Sequence, residues 1–374
     1  IYLGDNWPDS YRNRIYFNNV HGNRVNCDVL EPNGSGYVGR HAQDLLIAND
    51  RWFRGINLRT GPDGTVFLID WYDPNACHRT NPEIWDRTNG RVYEIAYGDV
   101  ERRSVDLERE TDLELAKLQE ATNDWYSRIA RRILAHRASQ RKLDASAVVH
   151  LKQLVDQSDE VTHRLRGLWT LEACDLLDDE RLAQLCTDGD PRLRRWGIRL
   201  SVNRSVSTAA VDAWSSQAPS EDEPSARLEM AAALQRLPLE RRWSVATQLV
   251  SNPADAEDHN LPLMIWYGIE PMVAAEPKRG LELALTSQIP MIRDFIVRRL
   301  AAEDRLLGPL VEAIGGSVAD DPELAREMLA SMVRSFEGRV GIPMPAAWES
   351  AYERIGRVED EELSALADRI AVAF

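Results

Sequence analysis

The sequence predicts a two-part fold, β-structure followed by α-helices: a partial β-propeller of about two blades, then an α-solenoid of paired helices. Residues 1–98 hold strand-like runs of alternating apolar and polar residues between glycine and asparagine turns. Residues 105–374 are rich in Leu, Ala, Arg and Glu and follow a helical period. We therefore expect blades at 1–98, a linking helix at 99–121 and a solenoid at 122–374.

The β-region divides into two similar units. In the first unit, Val25, Cys27 and Val29 alternate with polar residues, and 14–20 precedes them across a His-Gly-Asn turn at 21–23. The second unit has strand-like runs at 53–58, 65–70 and 91–97. A Gly-Pro-Asp-Gly turn at 61–64 separates the first two runs. Two units of roughly 45 residues match the blade spacing of a propeller. Because a closed ring needs at least about four blades, we interpret them as the last blades of a longer propeller, whose N-terminus lies upstream.

The helical region carries a repeat. Pro191–Arg199 resembles Pro290–Arg298, with Pro first, Arg fourth, an aromatic sixth and Arg ninth; a weaker copy begins at Pro224. The copies start 33 and 99 residues after the first proline, which predicts helix pairs with a period of 33, about eight of them in 105–374. Proline suits a first helical turn because its missing N–H would be unpaired there. We expect the acidic segments 215–224 and 251–260 to be solvated loops. The tryptophans that we expect in the core between repeats are Trp169, Trp196, Trp214, Trp243 and Trp266.

Composition excludes several classes of protein. The 45 basic and 60 acidic side chains give a net charge of −15, which argues against a nucleic-acid partner. No apolar run reaches the roughly 20 residues of a membrane span. The four cysteines form neither a C-x-x-C pair nor a C-x-x-C-H haem motif, so we expect buried structural thiols. Nucleotide-binding, zinc-protease and serine-hydrolase motifs are also absent from the sequence.

Loops between propeller strands gather at one mouth of the central channel, where ligands bind, and ten of their polar and aromatic residues are candidates. They are His21, Arg24, Asn26, Asp50, Arg54, Asp70, Trp71, Asp73, His78 and Arg87. His21 could transfer a proton near neutral pH, or it could hydrogen-bond the backbone of its turn. The sequence assigns none of the ten as catalytic.

Two of these candidates have alternative interpretations. Arg54 could hold a carboxylate or a quinone oxygen with both arms of its guanidinium, or it could form an ion pair between blades. Asp70 and Asp73 could bind calcium through carboxylate oxygens, or each could cap a turn. Two carboxylates without a series of further loop ligands favour capping, so the sequence predicts no metal site here.

Several segments resemble a known family. They are residues 4–6, 21–26, 34–37, 49–55, 61–73 and 86–93 in the β-region, and 260–271 with the Pro290 segment in the helices. These segments look like the end of the propeller, and the helices after it, in planctomycete-type membrane-bound dehydrogenase proteins. Those proteins are relatives of the glucose/sorbosone dehydrogenases. In that family HEAT-like repeats follow the propeller, and a c-type cytochrome domain often follows them.

The resemblance implies a function. It implies an exported, periplasmic protein whose propeller binds pyrroloquinoline quinone (PQQ) and calcium and oxidises a sugar or alcohol. The helical repeats would then be a scaffold for a protein partner, such as a cytochrome-type electron acceptor. The alternative is a propeller and scaffold that bind carbohydrate or protein without chemistry. The family's general-base histidine belongs to earlier blades and matches neither His21 nor His78. We expect this chain alone to be inactive, because the cofactor cavity needs the complete ring.

Overall fold

The computed structural model describes residues 1–76, 88–339 and 341–374, and the chain divides into two compact units. Unit 1 comprises Ile1–Asn33 and Tyr37–Leu177, and unit 2 comprises Gly34–Gly36 and Asp178–Phe374. The first four helices therefore belong to the same unit as most of the β-structure.

The β-region forms two separate sheets. Sheet A has the order β1-β2-β3, with β4 also paired to β2, and sheet B has the order β5-β6-β7. The two predicted groups of strands are both present as separate sheets, and the predicted turn at 21–23 joins β1 to β2. The strands are β1 Ile15–Asn19, β2 Arg24–Asn33, β3 Gly36–His41, β4 Leu46–Ile47, β5 Gly55–Thr60, β6 Val66–Asp70 and β7 Arg91–Ile95.

The two sheets share a hydrophobic core. Val25 of sheet A is buried with Phe53 and with Leu68 of sheet B, and Tyr16 and Leu58 pack against them. A second buried cluster joins N-terminal aromatic residues to sheet B through Tyr2, Trp7 and Val66. Alternate residues along a strand point to opposite faces, so each sheet turns only one face to this core.

Sheet B leaves an apolar row on its other face. Ile56 pairs with Ile69, and Ile69 pairs with Val92, so the three side chains lie side by side across the strands. Their exposed fractions are 36%, 42% and 71%. Three neighbouring aliphatic side chains at this exposure form an unusual surface for a sheet.

Sixteen α-helices occur within the described residues. Those of unit 1 are α1 Asp112–Lys117, α2 Asp124–Gln140, α3 Ala145–Gln157 and α4 Val161–Ala173. Those of unit 2 are α5 Asp179–Cys186, α6 Pro191–Ser201, α7 Thr208–Gln217, α8 Pro224–Leu234, α9 Leu239–Val250, α10 Leu261–Ala275, α11 Pro277–Thr286, α12 Pro290–Ala301, α13 Leu307–Ser317, α14 Pro322–Phe336, α15 Trp348–Ile355 and α16 Glu361–Ala373. Among the described residues, none of these helices combines the length and the apolar character needed to cross a bilayer.

The helices of unit 2 stack as a solenoid. The even-numbered helices α6 to α16 each contact the next even-numbered helix, and their odd-numbered partners pack beside them. The three prolines of the sequence repeat begin α6, α8 and α12, all in the even-numbered layer. The predicted helical repeat is therefore confirmed. Of the tryptophans predicted in its core, Trp214 and Trp243 are buried, whereas Trp169, Trp196 and Trp266 are only partly so.

The linking helix predicted at 99–121 is not a single helix. Residues 99–106 are irregular, and the short helix α1 lies between two 3₁₀ turns at Leu107–Arg109 and Leu118–Glu120. Thr111 starts α1 with a capping box, in which its side chain and that of Glu114 bond each other's backbone N–H. Because Thr111 has an extended backbone, no helix runs through it, and α1 begins at residue 112.

The charge pattern predicts that the acidic segments 215–224 and 251–260 are solvated loops. The structure corrects this, because some of their carboxylates are buried in ion pairs. Glu221 is buried and accepts two hydrogen bonds from Arg194, both 2.7 Å. Asp255 is buried in the same way against Arg227. Burial raises the pKa of Asp258, but hydrogen bonds from Ser35 and from backbone N–H groups lower it to about 2. In the first two copies of the repeat, the arginine at the fourth position pairs with an acidic residue just before the next even-numbered helix, whereas Arg293 of the third copy pairs with Glu327 within α14.

The cysteines within the described residues are free and buried. They are Cys27, Cys174 and Cys186, while Cys77 lies outside those residues. Burial raises the pKa of Cys174 to about 11 and that of Cys186 to about 12. Both thiols are therefore protonated and unreactive at neutral pH, as expected of structural residues.

Candidate functional site

Three loop segments come together at one end of the two sheets and form what we call the loop cluster. It consists of the β1–β2 turn at 20–23, the segment 49–54 before β5 and the segment 70–76 after β6. Asn23 ties the first segment to the second, because its side-chain amide donates to the carbonyls of Arg51 and Phe53 at 3.2 and 2.7 Å. Backbone bonds from Trp71 to Arg54 and from Asp73 to Trp52 tie the second to the third.

Arg54 is the centre of the loop cluster, and its role differs from both sequence interpretations. Its guanidinium donates to the backbone carbonyls of Val20, Phe53 and Pro74 at 3.0–3.1 Å, one in each segment. It is 6% exposed, and its Nε has no hydrogen-bond partner among the described residues. Arg54 therefore holds the three segments together and binds no carboxylate within this part of the chain.

Three aspartates of the loop cluster accept hydrogen bonds from nearby backbone N–H groups. Asp50 accepts from Trp52, Asp73 accepts from Asn75, and Asp70 accepts from both Arg54 and Tyr72, all at 2.7–2.9 Å. These are the turn-capping bonds that aspartate side chains form in loops. Asp70 keeps one buried oxygen, Oδ2, without a hydrogen bond in the described structure; the nearest cation, Arg91 Nη1, lies 3.9 Å away.

Aromatic side chains lie near Asp70 in the loop cluster. Tyr72 has a positive φ of 53°, which is rare for a bulky residue, and Asp70 holds its backbone in place. The Arg91 guanidinium lies 3.7 Å above the Tyr72 ring, and the ring of Trp52 is 5.6 Å from it. Trp52 and Trp71 are 38% and 58% exposed. The cluster thus presents two indole side chains to solvent around a strained, well-anchored tyrosine.

Arg24 and Asn26 belong to a neighbouring polar network on β2. Arg24 donates to Asp44 Oδ2 at 2.9 Å and Asn26 donates to Asp44 Oδ1 at 2.7 Å. His41 bridges Asp28 and the same Asp44 at 3.2 and 3.5 Å. Burial raises the pKa of Asp44, but the Arg24 and Asn26 hydrogen bonds outweigh it and lower the pKa overall. Asp44 is therefore ionised at neutral pH.

Of the two predicted histidines, one lies within the residues that the structure describes and one lies outside them. His21 lies exposed in the β1–β2 turn, where Asn19 rather than His21 accepts the hydrogen bond from the Gly22 N–H. His78 and Arg87 lie outside the described residues. Six of the candidates therefore come together in the loop cluster: His21, Asp50, Arg54, Asp70, Trp71 and Asp73.

Sequence reasoning missed four residues of these sites. Trp52, Tyr72 and Arg91 build the aromatic surface, and Asp44 centres the network on β2. The proximity of Trp52 to Asp50 in sequence was an available signal. Asp44 gave no local signal, because it reaches Arg24 and Asn26 through the pairing of β2 with β4, a contact distant in sequence.

Comparison with known proteins gives one result. Residues 1–99 match a family model described as a domain of unknown function, DUF7133. The match ends where the β-region ends and covers both sheets and the loop cluster. Neither the curated proteins nor the solved structures contain a match.

Proposed function

We propose that residues 1–98 are two blades of a β-propeller. We also propose that the loop cluster binds a sugar or polyol at the mouth of the propeller's central channel. The sheet arrangement supports the blades: two antiparallel sheets of three or four strands share a core through one face each. The exposed row Ile56, Ile69 and Val92 supports them too, because it is the apolar face that one blade turns to the next.

The exposed indoles carry the sugar-binding part of the proposal. Aromatic faces pack against the C–H faces of sugar rings, while nearby polar groups fix the ring by hydrogen bonds. Trp52 and Trp71 supply the faces, and Asp50 beside them supplies a carboxylate. Arg54 and the strained Tyr72 hold the loops in place before a ligand arrives, which reduces the entropy cost of binding.

The loop cluster does not fit the quinone and calcium that the family resemblance implies. Arg54, the cation best placed for a quinone carboxylate, is committed to three backbone carbonyls. Among residues 1–76, 88–339 and 341–374, no three His, Cys, Asp or Glu side chains are grouped to hold a metal ion. In a periplasmic dehydrogenase of this type, we propose that other parts of the propeller hold PQQ and calcium.

Calorimetry with the 374-residue chain tests sugar binding. We expect one or more members of a panel of hexoses and polyols to bind, and Trp71→Ala to weaken that binding about tenfold, or about 1.4 kcal/mol. Tyr97→Ala is the matched control, because Tyr97 is equally exposed at 60% but lies outside the loop cluster. Binding that Trp71→Ala leaves unchanged, or no binding across the panel, would contradict the proposal.

A second measurement separates binding from oxidation. With PQQ, calcium and a dye acceptor added to the chain, we expect sugar binding without dye reduction, since Arg54 is committed to backbone carbonyls and is not available to hold the quinone. Dye reduction that depends on the bound sugar would instead favour a quinone-dependent dehydrogenase active within this chain.

The solenoid supports a second role, as a scaffold for a cytochrome-type electron acceptor. Leu263 and Tyr267 of α10 and Met291 of the adjacent α12 are 41–55% exposed in the even-numbered layer. The net charge of −15 would attract a basic partner. A basic c-type cytochrome should bind in a salt-sensitive way, and Tyr267→Ala should weaken that binding because it removes the exposed aromatic ring without changing the charge. Equal binding by the wild type and by Tyr267→Ala would reject this role.

A further inference from the structure

Five arginines converge on one cavity in unit 1, although the chain as a whole is acidic. The cavity has a volume of about 680 Å³, within the range of small-molecule sites. One carboxylate, that of Asp124, lines it among the described residues. The arginines are Arg12, Arg128, Arg131, Arg132 and Arg166.

Three of the arginines have partners within the protein. Asp124 is bonded by Arg128 Nε at 2.5 Å and by Arg166 Nη2 at 3.0 Å, so its charge is already compensated. Arg166 also donates to the carbonyls of Gln119 and Ala121, and Arg12 donates to those of Gly4 and Thr122. These three side chains are explained by the fold.

Arg131 and Arg132 are not explained in this way. They lie on α2, one turn beyond Arg128, and no carboxylate among the described residues pairs with either of them. Arg132 is exposed at the rim of the cavity. Arg131 is half-buried with its guanidinium 5.3 Å from the Trp169 ring, and its buried Nε has no hydrogen-bond partner there. Burial lowers the pKa of Arg131, and the positive charges of Arg166 and Arg128 lower it further against the opposing effect of Asp124.

A half-buried cation that no carboxylate pairs with is unfavourable, and a bound anion offsets that cost. Guanidinium groups recognise the oxygens of carboxylates and phosphates through paired hydrogen bonds. The remaining wall of the cavity includes Leu3, Ala135 and Ala173, which would accept the carbon part of a ligand.

We propose that this cavity binds a small organic anion, with its carboxylate or phosphate oxygens held by Arg131 and Arg132 and its carbon body against Leu3, Ala135 and Trp169. The site is independent of the loop cluster and of the sugar proposed to bind there. It assigns unit 1 a second ligand, of opposite chemical character to a neutral sugar.

Calorimetry of the full chain with citrate, pyrophosphate and inorganic phosphate tests this site. We expect citrate or pyrophosphate to bind, with an affinity that falls as salt increases, and the preference between them identifies the carboxylate or the phosphate as the natural group. Arg131→Gln should weaken binding at least tenfold, and Arg132→Gln several-fold. Arg236→Gln, an exposed arginine of unit 2, is the control and should change nothing.

Thermal unfolding distinguishes a ligand site from a structural role. Without ligand, Arg131→Gln should melt no lower than the wild type, because it removes a half-buried charge that has no carboxylate partner. The bound anion should raise the melting temperature of the wild type but not of Arg131→Gln. If Arg131→Gln does not fold, the calorimetric binding of the anions to Arg132→Gln alone tests the proposal. The proposal is overturned if none of the three anions binds at millimolar concentration, or if both variants bind as tightly as the wild type.

Discussion

At the scale of single residues, arginine organises both units of this protein. In the solenoid, the arginine at the fourth position of the repeat pairs with Glu221 in the first copy, with Asp255 in the second and with Glu327 of α14 in the third. In the loop cluster, Arg54 binds carbonyls instead. The recurrence of arginine was visible in the sequence, but its partners were not, because they lie 27 and 28 residues away, beyond an intervening helix, and are brought close only by helix packing.

Replacing Glu221 should be costly. Glu221→Gln leaves the Arg194 charge, whose side chain is 10% exposed, without its counter-ion. We expect the free energy of unfolding to fall by about 3 kcal/mol, as for other buried pairs that lose one partner. Urea unfolding followed by circular dichroism measures this change.

The neighbouring residue provides the control for that experiment. Asp222 lies 3.9 Å from the same arginine, but its side chain is 95% exposed. Asp222→Asn should therefore change the free energy of unfolding by less than about 0.5 kcal/mol. Equal losses for the two variants would mean that net charge, rather than the buried pair, stabilises this loop.

At the scale of elements, local signals predicted the strands and helix starts, whereas close packing was not predictable. The turn at 21–23 and the prolines at α6, α8 and α12 fix their own backbone, and each lies where the sequence indicated. Gly197, the seventh residue of the first repeat copy, carried no local signal of its role. Its role depends on the neighbouring helix, which local sequence does not specify.

Gly197 lies in α6 where that helix approaches α5 most closely. A Cβ added there would come within 2.7 Å of the Cys186 backbone nitrogen and 2.8 Å of the Leu185 carbonyl carbon. Backbone atoms cannot move aside alone, so Gly197→Ala should lower the free energy of unfolding by about 2 kcal/mol, despite the better helix propensity of alanine.

Gly189, just before α6, is the matched control for Gly197. A Cβ added at Gly189 meets no atom within 4 Å, and its φ is not positive. Gly189→Ala should leave the melting temperature nearly unchanged. If Gly197→Ala were equally harmless, α5 and α6 could separate without loss, and the close contact would not stabilise the repeat.

At the scale of the whole molecule, the sequence predicted the order of β-structure and solenoid but not how each surface is used. Net charge and composition average over the chain, so they concealed the arginine cavity in unit 1. Period-two patterning places Ile56, Ile69 and Val92 on one face but does not say whether that face is covered. The exposure of the row is what links the two sheets to a larger propeller in our proposal.

Substitutions on opposite faces of sheet B test that link. Val92→Lys should change the free energy of unfolding of the chain by less than about 0.5 kcal/mol, because Val92 is 71% exposed. Leu68→Ala, at a side chain 1% exposed on the core face, should cost about 2–5 kcal/mol. Val92→Lys should also reduce any self-association measured by light scattering, since it interrupts an exposed apolar row. A large loss of stability in Val92→Lys would mean that this face is already covered within the chain, and the two-blade interpretation would then be wrong.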